Sequence, residues 1–276
     1  VNCGQALTRA RKTLEECGID NSSLEAEILL RHILGISRAV LLSGLEKELS
    51  STQSEKLANL IERRKWGEPS AYITGHREFY GLDFKVDRRV LIPRPETELL
   101  VEKALEYSRK YKVSKVADIG TGSGCIAISI ASKLPAIKIY AIDVSLPALE
   151  AAEENCIALN LKKRIEFLWG DLLKPLPEPV DMIIANLPYV RKTEVNSEFE
   201  PAQALNGGED GLDTIRNLVP QITGKLKPRG IVLLEIGMGQ ADAVTTILHN
   251  VFPKCEIEID KDLAGIERIV SLRLTS

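Results

Sequence analysis

Over the first seventy residues, apolar side chains return every three or four positions. Leu7, Ala10, Leu14 and Cys17 form one stripe, Ala26, Leu29, Leu30, Ile33 and Leu34 a second, and Leu57, Leu60 and Ile61 a third. This spacing predicts amphipathic helices. Asn21-Ser22-Ser23 and Ser50-Ser51-Thr52 are placed to cap two of them. Between about 71 and 92 the pattern becomes strand-like, through Tyr72, Ile73, Phe79, Tyr80, Phe84, Val86, Val90 and Ile92. Gly81 separates two such runs and predicts a hairpin. Two prolines and a set of acids follow in Ile92-Pro93-Arg94-Pro95-Glu96-Thr97-Glu98, ahead of Leu99, Leu100 and Leu105. Pro95 in a first turn, with Glu96 and Glu98 at the positive end of the helix dipole, suits a helix start. The domain hinge is expected in this stretch.

From Val116 onward, short apolar runs alternate with helical stripes. Strands are predicted at 116–119, 138–142, 165–169, 180–185 and 231–236, and two late ones near 255–259 and 269–272 flank Gly265. Ile126, Ala127, Ile130, Ala131 and Leu134 make one intervening helix, and Ile215, Leu218, Val219, Ile222 and Leu226 another. Such alternation predicts an α/β, doubly wound, mostly parallel sheet with ligands at its carboxyl edge, closed by an antiparallel element.

Composition narrows the reading. The chain has 276 residues, enough for one large domain or two modest ones with a sizeable core. Five scattered cysteines without a CxxC pair argue against disulfides and zinc, and three histidines share no ligand spacing. The cysteines are expected to be packing residues. No apolar run reaches membrane-spanning length and no leader pattern opens the chain, so a soluble cytoplasmic protein with no membrane partner is expected. The net charge of −3 gives no electrostatic case for nucleic acid. Residues 1–115 carry 20 basic and 17 acidic side chains, so the remainder carries the negative excess.

The sharpest local signal is Asp118-Ile119-Gly120-Thr121-Gly122-Ser123-Gly124, between an apolar strand and an apolar-striped helix. Glycines there permit a tight turn and close approach of a ligand to the backbone. The spacing is G-x-G-x-G, which fits neither the dinucleotide fingerprint nor the triphosphate loop. Asp143 ends the next strand, 25 residues after Asp118, where a carboxylate can grip ribose hydroxyls. Asp171, followed by Leu172, lies just past the third strand. Three acids around a glycine turn would repel pyrophosphate but suit a nucleoside bearing a cation, as S-adenosylmethionine does.

The fourth strand runs into Asn186-Leu187-Pro188-Tyr189. The Asn186 side-chain carbonyl and the backbone carbonyl of Leu187 can accept both hydrogens of a planar NH2 group. Pro188 restricts the turn, and Tyr189 is expected to stack on the planar substrate. Adenine N6, cytosine N4 and a carboxamide all present this geometry. Arg94 is a candidate to face the cleft between domains. The run Gly207-Gly208-Glu209-Asp210-Gly211 reads as a mobile loop lining that cleft or as a turn preceding a helix, and Trp169 as a core residue.

Taken in order, Ile92–Glu98, Asp118–Gly124, Asn186–Tyr189 and Glu200-Pro201…Ala204-Leu205-Asn206-Gly207-Gly208-Glu209-Asp210-Gly211-Leu212-Asp213 resemble the release-factor glutamine N5-methyltransferase family over nearly the whole chain. The resemblance implies a seven-stranded methyltransferase sheet behind a helical N-terminal region. Residues 1–70 would be a substrate-docking domain, 71–94 a hairpin linker and 95–276 the catalytic domain. It implies methyl transfer from S-adenosylmethionine to the glutamine of the Gly-Gly-Gln loop of peptide chain release factors, leaving S-adenosylhomocysteine, without a metal. Asp118, Gly120, Thr121, Gly122, Ser123, Gly124, Asp143, Asp171, Leu172 and Asn186 would hold the cofactor. Asn186, Leu187, Pro188 and Tyr189 would hold the glutamine amide, with Asn186, Pro188 and Tyr189 serving catalysis. The family reads Asn-Pro-Pro-Tyr, whereas this chain has Leu187 at the second place. Asn-Leu-Pro-Tyr is similar to the motif of ribosomal RNA adenine dimethyltransferases, so an amino-methyltransferase of adenine in ribosomal RNA or DNA is the alternative.

Overall fold

The computed structural model describes residues 1–275, which divide into two compact units, Val1–His76 and the chain from Arg77 onward. The first unit holds α1 (Cys3–Glu16), α2 (Ser22–Leu34), α3 (Arg38–Ser43), α4 (Ser51–Lys65) and α5 (Ser70–Thr74). Reciprocal capping boxes open α1, through Asn2 and Gln5, and α4, through Ser50 and Gln53. Asn21 does not cap α2 with its side chain; it takes a left-handed backbone conformation instead. The predicted stripes meet in a core of Leu29, Leu30, Leu41 and Leu57, beside a smaller cluster of Ala10, Leu14 and Ala26. Cys17 lies exposed at the end of α1. Tyr72 and Ile73, expected to be extended, lie in α5: Pro69 precedes this single turn and Gly75, at φ +77°, closes it. Tertiary burial of both side chains overrides their strand preference.

The hairpin β1 (His76–Phe79) and β2 (Leu82–Lys85) turns through Tyr80 and Gly81, both at positive φ, as a two-residue hairpin loop requires. There follow α6 (Glu98–Lys110), β3 (Lys115–Ile119), α7 (Cys125–Lys133), β4 (Lys138–Asp143), α8 (Leu146–Ala158), β5 (Ile165–Trp169) and β6 (Val180–Ala185). Then come α9 (Ala202–Leu205), α10 (Asp213–Ile222), β7 (Leu226–Glu235), α11 (Ala241–Val251), β8 (Cys255–Lys261) and β9 (Glu267–Leu274). The seven-stranded sheet has the order β5-β4-β3-β6-β7-β9-β8. Strands β3 to β7 are mutually parallel, and β9 runs antiparallel to both β7 and β8.

Both faces of the central strands are covered, which is why Met182, Ile183 and Ile184 form an unbroken apolar run, all fully buried. Trp169 departs from the expected core position. It ends the edge strand β5, is 62% exposed, and donates its indole N–H to the Val144 carbonyl at 3.0 Å. The chain winds outward from β3 to β5 and then returns to place β6 on the other side of β3. The carboxyl ends of β3 and β6 therefore flank the switch point, where open α/β sheets bind ligands. In register, Asp118 pairs with Ile184 and Ile119 with Ala185, so Gly120 and Asn186 leave the sheet side by side.

Candidate active site

The glycine turn is folded by its own backbone. The N–H groups of Gly120 and Thr121 both donate to the Ile142 carbonyl, at 2.8 and 3.0 Å, which draws the turn across the end of β4. At Gly124, φ is +80° and a Cβ would stand 2.9 Å from Ile128 Cδ1 and 3.1 Å from Ala152 Cβ. Only glycine lets α7 and α8 approach this closely. Asp118 is fully buried behind the turn: its Oδ2 accepts from the Thr121 hydroxyl at 2.7 Å and from the Ala127 N–H at 3.2 Å. Burial outweighs those bonds and lifts its carboxyl to about 7. Asn155, also buried, donates to the Ser123 and Lys85 carbonyls, both at 3.0 Å, and so ties the turn to β2.

Asp143 faces the turn from the end of β4. Its Oδ2 accepts from Gly122 N–H and its Oδ1 from Ser145 N–H, both at 2.9 Å. Burial nonetheless raises this carboxyl above its ordinary range. Asp171 is paired with Lys174 at 2.6 Å, and Leu172 turns the chain with φ +51°.

The Asn186–Tyr189 segment is braced from several sides. Asn186 Nδ2 donates to Thr97 Oγ1 at 3.1 Å, which joins this motif to the proline-framed one. The Tyr189 hydroxyl donates to Glu235 Oε1 at 3.3 Å. Burial, reinforced by the nearby Glu235 charge, pushes the Tyr189 hydroxyl up to about 12. Gln240 donates to the Tyr189 carbonyl at 3.1 Å, and Gly207 N–H donates to the Val190 carbonyl at 2.8 Å. A Cβ on Gly207 would stand 2.6 Å from the Pro188 carbonyl oxygen, and one on Gly211 2.3 Å from that of Tyr189. Residues 207–211 are thus the turn preceding α10, packed on the back of the motif, rather than a loop over the cleft. Arg94 is engaged as well: its Nη2 lies 2.6 Å from Glu200 Oε2, while Glu200 Oε1 accepts from Ile92 N–H at 3.1 Å.

These elements enclose a cavity of about 500 Å³, within the usual range for a small-molecule site. Of the residues singled out in the sequence, Gly120, Gly122, Asp143, Asp171, Leu172, Asn186, Leu187 and Pro188 line it. Asp118, Thr121, Ser123, Gly124 and Tyr189 stand outside that lining and act on it through the bonds just described. Val90, Leu91 and Pro201 also line it, close in sequence to residues of the Ile92–Glu200 and Arg94–Glu200 contacts. No role for Thr97, Asn155, Glu235 or Gln240 was legible in the sequence; Thr97 entered only as part of the proline-framed run, and Glu235 left a trace as a solitary carboxylate at the end of the apolar run Ile231–Leu234.

The residues present fit S-adenosylmethionine. Gly120 and Gly122 leave open backbone where it faces the cavity, and a Cβ on Gly120 would reach to 3.3 Å from Leu187 Cδ2. Asp143 presents a largely buried carboxylate on the same wall, with lone pairs to spare for a pair of hydroxyls.

Sheet order, glycine turn and carboxylate together define an S-adenosylmethionine-dependent methyltransferase fold. A methyltransferase from Pyrococcus furiosus shares it, with a TM-score of 0.54 at 16% identity over 78% of this chain and 98% of that one. The family models described as PrmC N-terminal domain and Methyltransferase small domain match residues 5–75 and 95–213. The release factor glutamine methyltransferase of Koribacter versatilis is 42% identical over 275 residues, covering 96% of each chain. That of Moorella thermoacetica is 41% identical over 96% of this chain and 95% of its own. The chain belongs to the release factor glutamine methyltransferase family.

Proposed function

We propose that this protein methylates the side-chain amide nitrogen of the glutamine in the Gly-Gly-Gln loop of peptide chain release factors. The observation that carries the reading is the placement of Asn186 and Leu187 on the wall of the same cavity as Gly120, Gly122 and Asp143. Bound there, S-adenosylmethionine would supply a methyl group made electrophilic by its sulfonium, with the neutral thioether of S-adenosylhomocysteine as the leaving group. Gly120 and Gly122 would lie against it through backbone, Asp143 would accept from its ribose hydroxyls, and Asp171 and Leu172 would border its base.

An amide nitrogen is a weak nucleophile because its lone pair is delocalised into the carbonyl. Asn186 Oδ1 and the Leu187 carbonyl would accept its two N–H bonds, fixing its plane and aiming its lone pair into the cavity; as the nitrogen takes the methyl group it gives up one of those protons to solvent, leaving a neutral N-methyl amide. Such positioning is worth several orders of magnitude when the approach is in line. The backbone carbonyl of residue 187 survives the exchange of proline for leucine, so Leu187→Pro is expected to leave turnover within a few-fold. Pro188 and Tyr189 hold the two acceptors in place from behind. Residues 1–70 would serve to dock the release factor, and residues 71–94 would link them to the catalytic domain.

Asn186→Ala is expected to lower methyl transfer at least a hundredfold while cofactor affinity changes little, since one of the two acceptors is lost and the glycine turn is untouched. Labelled S-adenosylmethionine offered with unmodified release factor, total ribosomal RNA or DNA tests the assignment. Label is expected in the protein alone. Label confined to RNA or DNA would overturn it in favour of a nucleic-acid amino-methyltransferase.

A further inference from the structure

We infer that Gln240 is a positioning residue for methyl transfer: its side-chain NH2 holds the Tyr189 and Gly211 carbonyls, and through them the turn that carries the Asn186 and Leu187 acceptors. The inference rests on the reading of those two residues as acceptors for the substrate amide.

The acceptors stand just past the sheet. Ala185 is the last residue of β6 in register with β3 and β7. Beyond it, Pro188 has no N–H to give. Backbone that has left a ladder must be satisfied and held in some other way. Gln240, at the start of α11, supplies one such hold. Its Nε2 donates to the Tyr189 carbonyl at 3.1 Å and to the Gly211 carbonyl at 3.4 Å. Its Oε1 accepts from the Gly237 N–H at 2.9 Å. That last bond fixes the flip of the amide, because a backbone N–H can only donate, and so commits the NH2 to the two carbonyls. One side chain thus joins three segments distant in sequence: the end of the Asn186–Tyr189 motif, the 207–211 turn and the loop after β7.

Two glycines clear the way for it. Gly237 lies outside the left-handed region, so its backbone conformation does not call for glycine. A Cβ there would stand 3.1 Å from Gln240 Oε1 and 3.2 Å from Tyr189 Cδ2. A Cβ on Gly211 would stand 2.6 Å from Gln240 Nε2. Both positions are bare where the Gln240 amide passes.

Gln240 stands outside the residues that line the cavity, so it acts through backbone. The Pro188 ring stiffens the link between the Tyr189 carbonyl and the Leu187 carbonyl two residues back. Releasing the first lets the second drift and tilts the substrate amide out of line, while the glycine turn and Asp143 keep their places. The cost falls on the chemical step and not on the cofactor.

The test compares two substitutions of nearly equal size. Gln240→Met removes the acceptor and both donors; Gln240→Glu keeps an acceptor for the Gly237 N–H and removes the donors. At pH 8 each is expected to lower kcat for release factor methylation about tenfold, the scale of one or two hydrogen bonds, with the KM for S-adenosylmethionine within about twofold of the wild type. The calorimetric Kd for S-adenosylhomocysteine should be equally unmoved. Wild-type turnover in Gln240→Glu would show that the donors are idle and would overturn the inference. Cofactor affinity that falls in step with kcat would overturn it as well, since that marks general loosening of the fold.

A second readout needs no turnover. The side-chain amide resonances of Asn186 in the full-length protein, assigned by their loss in Asn186→Ala, should shift in both Gln240 variants. Unmoved resonances contradict the inference even where kcat falls. A wild type inert toward release factor, with those shifts present, would fault the substrate reading alone.

Discussion

At Glu235, burial ties stability to pH. Its carboxyl binds a proton more tightly in the folded protein, at about 7, than an unperturbed glutamate does near 4.5. Below the lower value the group is neutral in both states and burial costs little. As pH rises through the higher value the folded state must carry a buried charge, and that stability is lost. The difference corresponds to roughly 3 kcal/mol as an upper bound. Glu235→Gln is therefore expected to melt several degrees higher than the wild type at pH 8 and at nearly the same temperature at pH 5. Equal melting shifts at both pH values would show that the carboxyl is not perturbed in this way. The same logic makes Gly124 a residue where one methyl group matters. Gly124→Ala must adopt φ near +80° and press Cβ against Ile128 and Ala152. A loss of about 1–3 kcal/mol in chemical denaturation, with weaker cofactor binding, is expected.

Elements were legible in the sequence where hydrophobic period and length agreed. Strands β5 and β6 fall on the predicted residues, β6 because Met182–Ala185 is the short continuous apolar run of a covered parallel strand, and β5 through Ile165, Phe167 and Leu168 although it lies at the edge. Tyr72 and Ile73 misled because a two-residue apolar pair carries no period, and Pro69 and Gly75 closed a helical turn around it. Trp169 misled because burial depends on strand order, and nothing in its neighbourhood says that β5 is an edge. The glycine turn and the Asn186 segment announced themselves through rare residue types at fixed spacing. Their support did not: Thr97 and Gln240 are ordinary polar residues that reach the motif only after folding brings separate segments together. The 207–211 turn was visible as a glycine-rich run, yet its purpose lies in the carbonyls it covers. Gly211→Ala would drive Cβ into the Tyr189 carbonyl and the Gln240 amide. It is expected to impair methyl transfer while leaving the far-UV spectrum unchanged, whereas a substitution in a loose loop would do neither harm.

For the molecule as a whole, the sheet decides where chemistry can occur. Parallel pairing of β3 with β4 and β6 brings the glycine turn, Asp143 and Asn186 to one carboxyl edge, although they are far apart in sequence. The proline-framed segment is joined to Glu200 through the Arg94 pair. Among the described residues no helix is long and apolar enough to cross a membrane. The central claim is that this cavity delivers a methyl group to one amide nitrogen. The direct measurement is peptide mass mapping of an unmodified release factor after incubation with the protein and S-adenosylmethionine, beside the same factor with its Gly-Gly-Gln glutamine replaced by alanine. The account predicts one added methyl on the Gly-Gly-Gln peptide, fragmenting to the glutamine side chain, and none in the substituted factor. A methyl on another residue, or equal modification of both factors, would contradict it.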